Sequence, residues 1–218
     1  MSCRVIALLC LGAITPDCRQ ADKQHYNVSN AIINMIEKII ISGSGGHGIM
    51  LVGKVLAEAA LREGRHVTWL PAYGAEVRGG AAYCMVIISD EPIGSPYIDK
   101  ADTLIAMNEP SLNKFLKKLK PRGLLVINSS LVKIKTVNKK NILRFPFMDI
   151  AVALGNAKVA NMVVLGAFDA AKKIVSIKNT LNVISDFAES YNRELFEINR
   201  KALLEGERLL RFNKNDQS

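Results

Sequence analysis

The residues able to do chemistry are concentrated in two glycine-rich stretches. The first, SGSGGHGIMLVGK (42–54), holds Gly43, Gly45 and Gly48 in a G-x-G-x-x-G spacing, with Gly46 and His47 between them. It follows the apolar run IEKIII and precedes residues of helical period, so it reads as a strand–turn–helix. The first N–H groups of such a helix have no intrahelical partner and carry its positive dipole end, which suits a phosphate or another anion. A dinucleotide needs more, namely an acid at the end of the next strand to hold a ribose. Here that strand ends VTWLPAYG, and the first acid beyond it, Glu76, lies inside a loop with Arg78. A P-loop needs Lys and Ser/Thr after the last glycine, and Ile49 and Met50 stand there. The turn is present, but both usual nucleotide readings lack their partner residues.

The second stretch, PAYGAEVRGGAAY (71–83), combines Tyr73, Glu76 and Arg78 with the pair Gly79 and Gly80. It leaves the same strand edge as the first turn, the edge where open α/β sheets bind ligands. Arg78 can grip a carboxylate or phosphate with two parallel hydrogen bonds, and the glycine pair lets a ligand or a second backbone approach. The plain alternative is a Glu76–Arg78 ion pair on a turn. A third patch, GNAKVANMVVLGA (155–167), puts Asn156 and Asn161 near a helix start, where asparagine is more often a cap than a ligand. His47 is a lone histidine in a glycine turn, and no Ser, Cys or Asp stands at a suggestive distance for nucleophilic catalysis. No G-x-S-x-G, H-E-x-x-H or C-x-x-C occurs, so no self-sufficient active site or metal framework is expected. Cys84, in AAYCMVIIS, is expected to be a buried, inert thiol.

The elements that must position these residues alternate along the chain. Short apolar runs at 37–42, 66–71, 81–89, 102–107, 123–128 and 141–146 read as strands, and helical stretches lie between several of them. The remainder is helical, broken near Gly155 and Asn156, with amphipathic segments from 176 to 211. The expected fold is α/β: a doubly wound, mostly parallel, Rossmann-like sheet with a helical C-terminal tail. The expected division is an N-terminal extension (1–34), an α/β domain (35–175) and C-terminal helices packing on it (176–218). The extension begins with one arginine and ten apolar residues, resembling a weak secretory leader but too short to span a membrane. Met35, just before the first strand, is the expected natural start; a short helix packing on the domain is the alternative.

The chain has 218 residues, 49% hydrophobic and 22% charged, an ordinary globular balance. Its net charge of +9 is matched by nine basic residues between Lys114 and Lys140, a window without acids. That window suits an acidic partner, a phosphate-bearing ligand or simply a solvated surface. A cytoplasmic protein without membrane or nucleic-acid partners is expected.

The segments GSGGHGIMLVGKVLAEAALREG, WLPAYGAEVRGGAAYCMVIISDEPIGSP and LGNAKVANMVVLGA together resemble the gamma subunit of 2-oxoacid:ferredoxin oxidoreductases, in order and spacing from about Ile36 to Ala202. The same unit occurs as an internal domain of single-chain pyruvate:ferredoxin and indolepyruvate oxidoreductases. That family usually has glutamine where this chain has His47, and the front 34 residues have no counterpart in its pattern. The resemblance implies a complex that oxidatively decarboxylates a 2-oxoacid to an acyl-CoA and passes electrons to ferredoxin. Thiamine diphosphate and 4Fe–4S clusters are then carried by alpha-, beta- and delta-type partner subunits, and this chain binds no cofactor alone. It further implies that Gly43, Gly45, Gly46, His47, Gly48, Tyr73, Glu76, Arg78, Gly79, Gly80 and Asn161 line a subunit junction near CoA and the 2-oxoacid. PAYGAEVRGG looks closer to the 2-oxoglutarate and branched-chain types than to the pyruvate type. A stand-alone nucleotide-binding protein and a purely structural module are the competing expectations.

Overall fold

A computed structural model describes residues 34–72, 81–133, 141–189 and 193–215. The six predicted strands all form: β1 (Ile36–Ser44), β2 (His66–Ala72), β3 (Ala81–Ser89), β4 (Ala101–Ala106), β5 (Leu119–Asn128) and β6 (Ile142–Phe145). They make one sheet in the order β2-β3-β1-β4-β5-β6. β1, β4, β5 and β6 pair in parallel, whereas β3 runs antiparallel to both its neighbours, β1 and β2. The sheet is therefore mostly parallel, as expected, with one reversed strand inserted beside β1.

Both faces are covered. On one, Ile39, Ile41, Cys84, Val86, Ile105 and Val126 pack beneath α1 (Ile49–Arg62), α3 (Phe147–Ala153), α4 (Ala160–Lys172), α5 (Ile177–Glu189) and α6 (Arg193–Asn215). On the other, Ile40, Met85, Ile87, Leu104 and Leu125 pack with Leu112 and Phe115 of α2 (Glu109–Phe115) and with Ile98. Consecutive isoleucines in β1 thus serve opposite faces, which explains its unbroken apolar run. α2 is shorter than the helical stretch of the sequence suggests. It tightens into a 3-10 turn at Leu116–Lys118, and Leu119 already enters β5. The break at Gly155 is real: its φ of 97° suits glycine, and a 3-10 turn at Ala157–Val159 leads into α4.

At the edge where β1 begins, the nearly buried Glu37 accepts a hydrogen bond from Thr103 Oγ1 (2.6 Å) and pairs with Lys172 Nζ (2.9 Å), tying β1, β4 and α4 together. Among the described residues no helix is long and apolar enough to cross a membrane.

Candidate functional site

The glycine turn forms where the strand pattern stops. Gly43 is still in β1, while Gly45 and Gly46 are exposed at the tip of the turn. Gly46 (φ 88°) and Gly48 (φ 67°) take left-handed backbone conformations that other residues adopt only with strain. Gly48 is the N-cap of α1 and therefore offers no side-chain oxygen, and the first turn contains no acid. The leading N–H groups of α1 thus lack the usual side-chain partners, and its positive dipole end is uncompensated. Gly48 also cannot be enlarged, since a Cβ there would lie 2.1 Å from Asn161 Nδ2.

His47 closes the turn on itself. Its backbone N–H donates to the Ser44 carbonyl (3.2 Å), and its Nδ1 accepts from the Ser44 N–H (3.2 Å). An accepting Nδ1 assigns the ring proton to Nε2, so the neutral imidazole keeps a donor on its other side. Partial burial lowers its pKa below the ordinary value of 6.5. The turn's contribution to stability is then complete above pH 6.5 and is lost as pH falls through the folded-state pKa, because imidazolium cannot accept from Ser44. Amide exchange at Ser44 should lose protection on acidification in the native chain. In His47→Gln, whose side-chain oxygen can accept at any pH, that protection should hold.

The turn lies at the point where the sheet's connections diverge. β1 feeds α1 on one face, while its parallel neighbour β4 feeds α2 on the other, and open α/β sheets bind ligands in such crevices. Asn108 holds the two strand ends together: its Oδ1 caps α2 by accepting from the Ser111 N–H (3.1 Å), and its Nδ2 donates to Ser44 Oγ. A cleft of about 170 Å³ opens here, lined by Gly46, His47, Met107, Met148, Ala157, Lys158 and Ala160. Lys158 is the cation among these residues, so the cleft combines an open helix N-terminus, an imidazole and an ammonium. That set favours an anionic group.

Of the residues expected from sequence, Gly46 and His47 line this cleft, and Gly43, Gly45 and Gly48 shape the turn. Asn161 is no cap. It is buried, and its Nδ2 reaches the Gly48 carbonyl at 3.5 Å, bracing the turn from α4; Asn156 is the residue that caps, accepting from the Lys158 N–H (2.9 Å). Tyr73, Glu76, Arg78, Gly79 and Gly80 lie outside the described residues. The ends of their loop are placed, however: Ala72 pairs with Tyr83, while Ala81 and Ala82 pair with Ser44 and Gly43. Ala81, where the chain re-enters the sheet, therefore stands beside the glycine turn, and Ala72 lies one strand further out at the same edge.

Sequence reasoning missed Met107, Met148 and Lys158. Only Asn108 carried a readable signal, as the polar residue before Glu-Pro at a helix start.

β3 lies between β2 and β1, so the second strand does not stand directly beside the glycine turn as it does in the dinucleotide-binding arrangement. Cys84 is fully buried, donates to the Ile49 carbonyl, and has its thiol pushed up to about 12 by burial, which keeps it protonated and inert. Among the described residues no three His, Cys, Asp or Glu side chains gather to hold a metal.

The family described as pyruvate ferredoxin/flavodoxin oxidoreductase matches residues 38–209. The 2-oxoglutarate synthase subunit KorC of Methanothermobacter marburgensis is 34% identical, with 80% of this chain aligned to all of that protein. The ketoisovalerate oxidoreductase subunit VorA of the same organism is also 34% identical over 78% of this chain, but the chain spans only 35% of its length. Among solved structures, the gamma subunit of a keto/oxoacid ferredoxin oxidoreductase from Geobacter sulfurreducens superposes with a TM-score of 0.67 at 32% identity, covering 78% of this chain and 95% of that one. The chain belongs to the pyruvate ferredoxin/flavodoxin oxidoreductase family.

Proposed function

We propose that this chain is the gamma-type subunit of a 2-oxoacid:ferredoxin oxidoreductase, and that its glycine turn forms one wall of a site completed by partner subunits. The observation that carries the reading is the crevice between β1 and β4, anion-seeking yet only about 170 Å³. Sites that enclose a drug-sized ligand run from about 300 to 1,000 Å³, so a molecule as large as CoA cannot be held here alone. One phosphate can, set against the start of α1 with Lys158 and the His47 Nε2–H as further donors. The loop 73–80, anchored at the same edge, brings Arg78 as a second candidate contact, alongside Tyr73, Glu76, Gly79 and Gly80.

The resemblance assigns the other cofactors of the reaction to partner subunits. One buried, protonated thiol among the described residues cannot bind an iron–sulfur cluster, and thiamine diphosphate is assigned to a partner subunit. The chain's own work is to bind and orient the acyl acceptor and to exclude water at the junction. Electrons then leave to ferredoxin through the alpha-, beta- and delta-type partners. The substrate read from PAYGAEVRGG, with the end-to-end likeness to KorC in support, is 2-oxoglutarate; the likeness to VorA supports a branched-chain 2-oxoacid as the second reading.

The test uses the assembled complex. Lys158→Ala and Arg78→Ala should each leave assembly intact and raise the KM for CoA about tenfold, the scale of one charge-assisted contact. Unchanged apparent affinity for both CoA and the 2-oxoacid in both variants would remove the proposed site.

A further inference from the structure

The cleft beside the glycine turn takes its two methionines from distant parts of the chain, and one buried side chain is bonded to both. Met107 comes from just past β4, and Met148 from the first turn of α3. Asn128 ends β5, the strand between β4 and β6, and is 1% exposed. Its Nδ2 donates to the Met107 carbonyl (3.4 Å), and its Oδ1 accepts from the Met148 N–H (3.3 Å) and the Ser130 N–H (3.3 Å). These partners also fix which end of the amide is which, because a carbonyl only accepts and an N–H only donates. Met107 carries the tie further: its own N–H donates to the Ser42 carbonyl (2.9 Å) of β1, the strand that feeds the glycine turn.

A plainer role accounts for only part of this. The contact from Oδ1 to Ser130 spans two residues and is an Asx turn, which ends many strands and which a serine hydroxyl can imitate. Such a turn needs neither the donor to Met107 nor the second contact at Met148. β5 is apolar just before this point, with Leu125, Val126 and Ile127 all buried, so the amide stands where an apolar side chain could pack without polar cost. It is kept from that cost by bonds that run to the two methionines of the cleft.

We propose that Asn128 is a positioning residue for this site: by bonding Met107 and Met148 at once, it fixes the width of the cleft and keeps it to the size of one phosphate. Asn128 is not among the lining residues, and it acts through the main chain of two that are. This role rests on the reading of the cleft as an anion contact for CoA.

Steady-state kinetics of the assembled complex, with CoA as the varied substrate, test the role. Asn128→Ser keeps a turn to Ser130 but cannot span Met107 and Met148 together. It should raise the KM for CoA about tenfold, while kcat and the KM for the 2-oxoacid stay within about twofold. Loss of folded complex would instead lower kcat and leave both KM values unchanged, so the split separates positioning from stability. Combined with Lys158→Ala, the serine variant should raise the KM by less than the product of the two separate effects, because both act on one cleft. A full product, or an unchanged KM in Asn128→Ser, overturns the role. Hydrogen exchange in the native complex needs no variant: saturating CoA should slow exchange at the Met148 N–H, and unaltered exchange there also overturns it. If Lys158→Ala raises the KM for CoA and Asn128→Ser does not, the positioning role fails and the cleft reading stands. If neither raises it, the cleft reading falls and takes this role with it.

Discussion

Replacing Gly166 or Gly206 by alanine should destabilise the chain by about 3 kcal/mol or more, the upper range of overpacking, because α4 and α6 cross in backbone-to-backbone contact there. A Cβ on Gly166 would sit 1.9 Å from the Leu203 carbonyl oxygen, and a Cβ on Gly206 would sit 2.0 Å from the Val163 carbonyl oxygen. No side chain can move aside to relieve either clash, since the opposing atoms are main chain. Two effects compete, because Gly→Ala within a helix gains about 1 kcal/mol of intrinsic propensity. The clash wins, as separating the helices also exposes Ala202 and Leu203, both fully buried. Urea unfolding should show a lowered midpoint for each variant. The double variant should cost less than the sum, because the first substitution already parts the helices. Gly94→Ala is the control: nothing lies within 4 Å of its added Cβ, and it should change stability by no more than about 0.5 kcal/mol. Equal midpoints for all three single variants would refute the contact.

Asp169→Asn should make the chain steadily more stable than the native one as pH rises. The Thr180 hydroxyl has one proton and two oxygens within reach, Asp169 Oδ2 and the Ser176 carbonyl at 3.3 Å. A protonated Asp169 resolves the conflict by donating to Thr180, which then donates to Ser176. Burial holds the folded carboxyl protonated to about 8, against an ordinary value of 3.8. The unfolded chain therefore binds fewer protons than the native one between those limits, and stability must fall with rising pH. Asp169's contribution is complete below pH 3.8, is lost progressively up to about pH 8, and is flat beyond. Asparagine cannot ionise and can still donate to Thr180. The stability gap in its favour should widen by about 1.4 kcal/mol per pH unit across that window. Parallel stability–pH curves for the two chains would rule out a neutral Asp169.

Local pattern was enough to place every strand and the first helix. Apolar runs of strand length bounded by Gly, Pro and Asp, and the helical recurrence of Ile49, Val52, Leu56 and Ala60, are short-range properties that the fold respects. The glycine turn was legible for the same reason, because positive φ at Gly46 and Gly48 is a demand the residue type itself reveals. The residues of the cleft were not. Met107, Met148 and Lys158 come from three segments, and nothing in their own neighbourhoods marks them.

By itself, the sequence determined that this is an α/β chain whose glycine turn leads from the first strand into a helix, since periodicity and glycine placement follow from backbone sterics. The tertiary structure alone decided that β3 runs backward between β1 and β2, because a strand buried on both faces looks alike in either direction. It alone decided the Gly166–Gly206 crossing and the isolation of Asp169, because contact and desolvation depend on what distant segments bring alongside.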